Sequence, residues 1–534
     1  MKVPGTRLFV LVATALPLLA QYQYPFQNPD LDKEQRISNI LSLMTLEEKI
    51  AILGTSTGVL RLGIPDAGGS EGLHGLVQRS LGGGQPGQPA QKVTQTTQFA
   101  QVVGMGQTWD AELIRKAGEV QSTEARWIYD HRGKDARRAP LIVWGPNADL
   151  ARDPRWGRID ESYGEDAFFT GSMASAFARG MQGDDPKYWR TASLVKHFLA
   201  NSNENGRYGS SSDFDARQLW EYYALPFRMT FTEGGAHSYM ASYNAWNGVP
   251  MTIHPILKSV VAGEWGVDGI VSTDAGSVRN MVTKHHYFPD AKTAVAACIR
   301  MGVNQFLDNY RDGLTAALDA KEIGEKDIDA ALRGKFRVVL KLGLLDPAAR
   351  VRYAGAGSAE EPWQSAAHKA VALQVARESL VLLKNAGNML PLDRTKIKSV
   401  AVYGPRANKV LLGIYSGEPP HSVSPVDGLR EKLGSNVKIN LPAGFMGDTA
   451  AAARTSDAAI VFVGNDPTCN RAAIIAGFGS DDSWCETPSD GMENSDRKSL
   501  TLEQEDLIRQ VYAANPRTIV VLLSDFPHLM WRAT

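Results

Sequence analysis

The feature that most constrains the fold is a repeated pattern in which a short apolar run ends in polar residues and a helical stretch follows. The clearest runs are "APLIVWGPNAD", "ASLVKHFLAN", "GAHSYMASYN", "DGIVSTDAG" and "MGVNQFLD". Stretches with helical periodicity, such as "EDAFFTGSMASAFARGMQG", separate them. Strands that alternate with helices indicate βαβ units and a parallel sheet. The polar residues that end these runs include Asn147, Asp149, Lys196, His197, Tyr243, Asn244 and Asp274.

The spread of these polar ends along the chain distinguishes two kinds of parallel α/β fold. In a (β/α)8 barrel the C-terminal ends of all strands share the face on which the active site is built. A doubly wound sheet instead collects its ligand-binding groups near one topological switch point. Because several separate runs end in polar residues here, we predict a TIM-like (β/α)8 barrel, followed by a second α/β domain.

The N-terminus has the layout of a secretory signal. Lys2 and Arg7 come before an apolar run that extends from Leu8 to Leu19, and small Ala20 follows. We therefore expect residues 1–20 to be a signal peptide and the protein to be secreted or periplasmic. The run is short for a membrane span, and no later segment of ~20 apolar residues follows, so we expect no membrane contact after cleavage.

The remaining chain divides into two domains, since 534 residues exceed one ordinary domain. We assign residues 21–345 to the barrel. Residues 346–364 lose periodicity and contain Ala, Gly, Pro and charged residues, which is typical of a linker. Residues 365–534 form the second α/β unit, with apolar runs in "SVAVYGP", "DAAIVFVGN" and "TIVVLLSD".

Composition excludes several classes of function. Lysine and arginine number 57 against 58 aspartate and glutamate, so no net charge favours nucleic acid or an acidic lipid surface. Three cysteines are too few for a disulfide scaffold. Cys298 is expected to be a buried small hydrophobe on a helix, whereas Cys469 and Cys485 are candidates for a disulfide. No Cys/His cluster has zinc-site spacing. We expect no metal and no cofactor.

The candidate chemistry centres on Asp274, which ends an apolar run and is followed by small residues. A lone aspartate in such a place is most often half of a salt bridge, so other groups must decide its role. Lys196 and His197 end another run, and Arg207 follows Lys196 by eleven positions. Such mixed donors and acceptors suit sugar hydroxyls, and glycoside hydrolysis needs one ionised and one protonated carboxyl group. Nearby cations are expected to keep Asp274 ionised, as a nucleophile requires.

An ordered set of motifs resembles glycoside hydrolase family 3, whose members are mainly exo-acting β-glucosidases and β-xylosidases. The motifs are "SEGLHG", "DPRWGRIDESYGED", "KHF…NENGR", "MASYNAWNGVP", "GVDGIVSTDAG", "LLKNAGNMLPL" and "PSDGMENSDRKSLTLEQEDLI". The resemblance runs from about residue 35 to nearly the C-terminus. It implies a (β/α)8-like barrel followed by an α/β sandwich, with an active site between them. It also implies a retaining double displacement on an oligosaccharide or β-glycoside, with the oligomeric state left open.

Carried over position by position, the resemblance implies that Asp274 is the nucleophile. The residues it implies for binding the sugar before the scissile bond are Glu71, Arg158, Lys196, His197, Arg207 and Tyr243. Glu71 falls where xylosidase-like members tend to carry glutamate and many glucosidases carry aspartate, which favours a pentose. The general acid/base in this family comes from the second domain, upstream of an Asp-Arg pair. Glu493 is our prediction for that residue, and Glu486 is the alternative.

The sequence departs from the family pattern in two places. The usual "SDW" or "SDC" ending is "TDA" here, which replaces one packing side chain near the nucleophile by a methyl group. Family members normally continue beyond the point at which "VLLSDFPHLMWRAT" ends, so we expect a C-terminally truncated sandwich. A non-catalytic carbohydrate-binding remnant of such an enzyme is therefore the alternative function.

A second rival comes from "GTSTG" at residues 54–58, which fits the G-x-S-x-G pattern of a serine hydrolase. That motif needs a strand before it and a helix after it. Here it follows the helical pattern "TLEEKIAIL", so we interpret it as the turn after a helix.

Overall fold

The computed structural model describes residues 22–78, 94–131, 140–355, 360–413, 415–447, 450–465 and 491–529. The first domain contains eight strands in these ranges: β1 (Ser70–Glu71), β2 (Ile142–Asn147), β3 (Ala192–Phe198), β4 (Ser211–Ser212), β5 (Ser238–Ala241), β6 (Ala245–Trp246), β7 (Val249–Pro250) and β8 (Val271–Ser272). Its helices are α1 (Lys33–Leu43), α2 (Leu46–Ile52), α3 (Val102–Gln107), α4 (Ala111–His131), α5 (Ala167–Gln182), α6 (Ala216–Gln218), α7 (Leu225–Thr232), α8 (Ser277–Thr283), α9 (Ala291–Met301), α10 (Arg311–Asp319) and α11 (Glu325–Lys341).

The barrel wall is a parallel sheet in the order β1-β2-β3-β5-β8. Ile142 is paired with Ala192, and Leu194 with Ser238, which fixes the register of the three central strands. Beyond β8 the Gln305 carbonyl accepts from the Thr273 amide at 2.9 Å, and the Phe306 amide donates to Leu53 at 2.8 Å. These bonds continue the wall toward the residues that precede β1. Every residue of β3 is buried, as expected for a strand that is covered on both faces.

The short β4, β6 and β7 form a separate three-stranded sheet beside this wall. Helix ends follow local sequence rules. Thr45 and Glu48 form the predicted capping box at the start of α2, and α9 begins at the side-chain cap of Asp290. The α9 helix carries Cys298, which is fully buried as predicted.

After the barrel comes the helix α12 (Ala366–Glu378). The second domain contains the strands β9 (Ser399–Tyr403), β10 (Lys438–Asn440), β11 (Ala458–Gly464) and β12 (Thr518–Leu523), and the helices α13 (Pro425–Leu433), α14 (Ala451–Arg454) and α15 (Glu505–Ala514). Its sheet is parallel in the order β10-β9-β11-β12, and apolar side chains pack on both faces. A barrel followed by an α/β sandwich is the predicted fold class, which is confirmed.

The helix α12 lies against the barrel, although the sequence places it at the start of the second domain. Val375 is buried in the same apolar cluster as barrel residues, and His368 contacts Glu124 on α4 at 2.8 Å. This helix therefore packs on the barrel. Within the described ranges, each helix is too short or too polar to cross a membrane.

Candidate active site

Asp274 follows the last residues of β8, at the C-terminal face of the barrel. Its Oδ1 accepts a hydrogen bond from the Ala275 amide at 2.7 Å. Its buried Oδ2 accepts no hydrogen bond from the described residues, and the Nε2 atom of His197 lies 3.8 Å away. A buried carboxylate oxygen without a donor is costly, so this arrangement marks a position kept for a function.

The pKa of Asp274 is raised, because burial outweighs the nearby cations. Burial raises this pKa above the ordinary value for an aspartate, while Arg158 and Arg207 act in the opposite direction. The sequence predicted that the cations would dominate. The difference arises because both arginines have carboxylate partners of their own.

Arg158 is held by Glu161 in a bidentate pair, with nitrogen–oxygen distances of 2.6 and 2.8 Å. Its Nη2 atom is 3.4 Å from Nε2 of His197, whose Nδ1 contacts Asp149 at 2.8 Å. Burial, together with Arg158 and Lys196, lowers the pKa of His197 well below its ordinary value. The imidazole is therefore neutral and Asp149 fixes its orientation.

Lys196 and Glu71 form a second buried pair, with Nζ 2.8 Å from Oε2. They come from the C-terminal ends of β3 and β1, which are brought to the same face by the parallel sheet. The Lys196 ammonium group also lies 4.8 Å from the centre of the Tyr415 ring. Tyr415 comes from the second domain, so this domain forms one wall of the site.

Arg207 is shared between two carboxylates. Its Nη1 is 2.8 Å from Glu204, and its Nη2 is 2.8 Å from Oε1 of Glu493. The Arg207 guanidinium also lies 4.8 Å from the centre of the Tyr243 ring. The Tyr243 hydroxyl donates to the Ala275 carbonyl at 3.1 Å, immediately beside the candidate nucleophile.

Glu493 reaches this cluster from the second domain. Arg207 and the Tyr415 hydroxyl each donate to it at 2.8 Å, and Arg158 lies 3.9 Å away. Burial alone would raise the pKa of Glu493, but the two arginines and the two hydrogen bonds lower it to about 2. The side chain is therefore ionised in this arrangement.

The structure brings all eight sequence-predicted residues into one connected cluster. Sequence reasoning missed Tyr415, which lies in the stretch "LLGIYSGEPP" without a motif or periodicity. Glu161 carried a usable signal, because its spacing of three residues from Arg158 suits an ion pair. Glu486, Cys469 and Cys485 lie outside the described residues.

Two further observations limit the chemistry. Among the described residues, no group of three or more His, Cys, Asp or Glu side chains could hold a metal ion. The "GTSTG" stretch follows α2, and its Ser56 donates to Asp66 at 2.9 Å. It therefore lacks the strand-turn-helix setting of a nucleophilic serine.

Comparison with known families agrees with this geometry. Residues 45–338 match the model "Glycosyl hydrolase family 3 N terminal domain". Residues 380–534 match the "Glycosyl hydrolase family 3 C-terminal domain". The chain belongs to glycoside hydrolase family 3. The expectation of a truncated C-terminal domain is not borne out, because the model of that domain is matched.

Several relatives in glycoside hydrolase family 3 are β-xylosidases. Beta-D-xylosidase 3 of Arabidopsis thaliana is 32% identical over 539 residues, which cover 97% of this chain and 65% of the relative. A beta-xylosidase of Formosa agariphila is 31% identical, with 94% of this chain and 68% of the relative covered. The chain thus spans about two thirds of the length of these relatives.

Solved structures of two glycosidases share the fold. A GH3 exo-beta-xylosidase (XlnD), solved with a xylobiose aziridine activity-based probe, superposes with a TM-score of 0.78 at 27% identity, covering 94% of this chain and 63% of that one. A β-glucosidase from Erythrobacter marinus superposes with a TM-score of 0.74 at 24% identity, covering 95% of this chain and 74% of that one. The second likeness supports the fold alone.

Proposed function

We propose that this protein is an exo-acting, retaining β-glycosidase that removes terminal non-reducing β-D-xylosyl residues from oligosaccharides and accepts β-D-glucosyl residues less well. The observation that carries the proposal is the buried Oδ2 of Asp274, which accepts no hydrogen bond from the described residues and lies in a basic cluster. A second carboxyl group, Glu493, is supplied to this cluster by the other domain. The β-xylosidase relatives support the sugar. The N-terminal pattern of Lys2 and Arg7 before an apolar run supports action outside the cytoplasm.

The first step uses the form of the carboxyl pair in which Asp274 is ionised and the one proton is on Glu493. Oδ2 of Asp274 attacks the anomeric carbon while Glu493 gives that proton to the departing glycosidic oxygen. The C1–O bond to the leaving group breaks and a covalent glycosyl-enzyme forms on Asp274. In the second step, Glu493 takes a proton from water, whose oxygen attacks the anomeric carbon and releases Asp274. The sugar leaves with its original β configuration, because two inversions cancel.

The remaining side chains bind the sugar that is attacked. Glu71 and Lys196 present an acceptor and a donor at one end of the cluster, 2.8 Å from each other. His197, held neutral by its surroundings and oriented by Asp149, faces Oδ2 of Asp274. A hydroxyl group of the sugar placed between these groups would receive directed hydrogen bonds in both senses.

Release of nitrophenol from 4-nitrophenyl β-D-xyloside, β-D-glucoside and α-L-arabinoside tests the proposal. We expect kcat/KM for the xyloside to exceed that for the glucoside by about tenfold or more. The glucoside carries one extra hydroxymethyl group, and a binding site can discriminate against one such group by about this factor. The Asp274→Asn variant is the control for contaminating activity. Heat of xylose binding by calorimetry with no release of nitrophenol from any substrate would contradict the proposal.

A further inference from the structure

The short turn formed by residues 491–497, here called the Glu493 turn, is docked between the two domains. Met492 and Ser495 exchange both backbone hydrogen bonds at 2.9 Å, which closes the turn around Glu493 and Asn494. Gly491 and Asn494 adopt φ angles of +76° and +74°. These bonds define the shape of the turn, but they do not fix its orientation relative to the barrel.

Asp496 joins the turn to the barrel. Its carboxylate accepts from three barrel amides, those of Gly157 at 3.1 Å, Glu204 at 3.0 Å and Asn205 at 2.8 Å. The Asn205 side chain in turn accepts from the Asp496 amide at 3.3 Å. Charge-assisted bonds from several amides to one carboxylate are strong and directional, so they fix the turn on the loop that also carries Arg207.

Arg497, the next residue, holds the turn to its own domain by its side chain, while its amide donates to the Arg155 carbonyl of the barrel at 2.7 Å. Its Nη1 donates to the Pro527 carbonyl at 2.7 Å, and its guanidinium lies 4.9 Å from the centre of the Phe526 ring. Phe526 packs with Trp156 and Ile159 of the barrel in a small apolar cluster. Two adjacent side chains of the turn therefore reach into different domains.

Gly157 allows the turn to approach the barrel closely. A Cβ atom at this position would lie 2.2 Å from the Ser495 carbonyl oxygen and 2.3 Å from that of Met492. Any side chain at residue 157 would therefore push the turn away. Glu204 completes the contact, because its Oε2 accepts from the Asn494 amide at 2.9 Å and also pairs with Arg207 at 2.8 Å.

We propose that Asp496 is a positioning residue that anchors the Glu493 turn to the barrel, with Gly157 as the surface on which the turn rests. The anchor places the Glu493 carboxylate against Arg207 and Tyr415, so that the acid and the nucleophile, which come from different domains, keep a fixed geometry. This inference rests on the proposed function for the role of Glu493, but the docking itself is independent of that role.

Hydrogen exchange and kinetics of the Asp496→Ala variant test the two parts of the inference separately. Faster exchange is expected at the amides of Glu204, Asn205 and the 491–497 peptide. The kcat/KM for phenyl β-D-xyloside, a poor leaving group, should fall by about tenfold to a hundredfold, whereas that for the 2,4-dinitrophenyl xyloside should stay within about threefold. Asp506→Ala, at an exposed residue of α15 that pairs with Arg509, is the matched control and should change neither measurement.

The double variant Asp496→Ala/Glu493→Gln shows whether the anchor acts through Glu493. We expect the Asp496 substitution to cost much less kcat/KM when Glu493 is already glutamine, because coupled residues are not additive. Additive losses, or unchanged exchange of the turn in Asp496→Ala, would overturn the inference. If Glu493→Gln alone shows no dependence on the leaving group, the acid assignment fails, while the exchange data still decide the docking.

Gly157→Ala gives a second route if Asp496→Ala does not yield folded protein. It leaves Asp496 and Glu493 in place but displaces the turn by steric contact. We expect the same loss on the phenyl xyloside, again with the dinitrophenyl substrate spared.

Asp496→Asn keeps one carbonyl acceptor and should recover part of the lost activity, and its failure to do better than alanine would count against anchoring by these hydrogen bonds.

Discussion

Replacing Asp274 by alanine is expected to lower kcat/KM on the 4-nitrophenyl xyloside by about 10⁴-fold or more, with the protein still folded. Its Oδ2 atom is the one proposed to bond to the anomeric carbon, and it accepts no hydrogen bond from the described residues. Removal of the side chain thus takes away the nucleophile and leaves a small space beside His197 and Arg158.

That space should admit azide, which can then attack the anomeric carbon in a single step. The product would be the α-xylosyl azide, because only one inversion occurs, and NMR distinguishes it from the β form. Asp268→Asn is the matched control, since Asp268 lies at the opposite end of β8, where its side chain contacts Nδ1 of His237 at 2.9 Å. We expect Asp268→Asn to keep activity within about twofold of the native protein. Substantial activity of Asp274→Ala without azide would remove this residue from the mechanism.

Replacing Glu493 by alanine or glutamine is expected to give a loss that depends on the leaving group. The kcat/KM for phenyl β-D-xyloside should fall by about 10²–10⁴-fold, which is the usual contribution of a general acid. The 2,4-dinitrophenyl xyloside needs no proton to depart, so its kcat/KM should change little. The glycosyl-enzyme should then accumulate, because no base activates the water.

Azide should restore turnover of the Glu493→Ala variant by attacking the glycosyl-enzyme, and the product should be the β-xylosyl azide. The α and β azides from the two variants therefore identify the nucleophile and the acid/base independently. Glu431→Gln, at an exposed residue of α13 in the same domain, is the control. A Glu493→Ala variant with equal losses on both xylosides and no response to azide would assign the acid elsewhere.

The pH dependence of the native protein and of Glu493→Gln follows from the directions of the pKa shifts of Asp274 and Glu493. Catalysis needs Asp274 ionised and Glu493 protonated, but the pKa of Glu493 is lowered to about 2 while that of Asp274 is raised by burial. The reactive form of the pair therefore carries one proton in total, on Glu493, while Asp274 is ionised. The kcat/KM should fall as the pH rises through the upper of the two pKa values of the pair, because that proton is then lost. In Glu493→Gln with the dinitrophenyl xyloside, only ionised Asp274 is needed, so kcat/KM should instead rise with pH to a plateau. An alkaline decline that persists in Glu493→Gln would contradict this.

The barrel half of the site could be predicted from the sequence. The C-terminal ends of parallel strands meet on one face, so Asp274, Lys196 and His197 could be expected together once their apolar runs were recognised as strands. The placement of Glu71 relied on the family resemblance, because "SE" at residues 70–71 belongs to a strand of two residues without a visible periodicity.

The other half depends on how the domains pack, which no local pattern encodes. Tyr415 and Glu493 reach Lys196 and Arg207 of the barrel only because the second domain covers the barrel mouth. The direction of the pKa shift of Asp274 also could not be predicted from the local sequence. The arginines that were expected to lower the pKa of Asp274 pair with Glu161, Glu204 and Glu493 instead.

The central claim is that a covalent glycosyl-enzyme forms on Asp274, and trapping that intermediate tests it most directly. A 2-deoxy-2-fluoro-β-D-xylosyl donor with a good leaving group should inactivate the protein with time, because the fluorine slows both steps and the good leaving group speeds only the first. Peptide mass spectrometry should then place one fluoroxylosyl group on the peptide that contains Asp274, and excess xylose should protect against labelling. A label on Glu493 or another carboxylate, or turnover of the donor with no covalent adduct, would contradict the account.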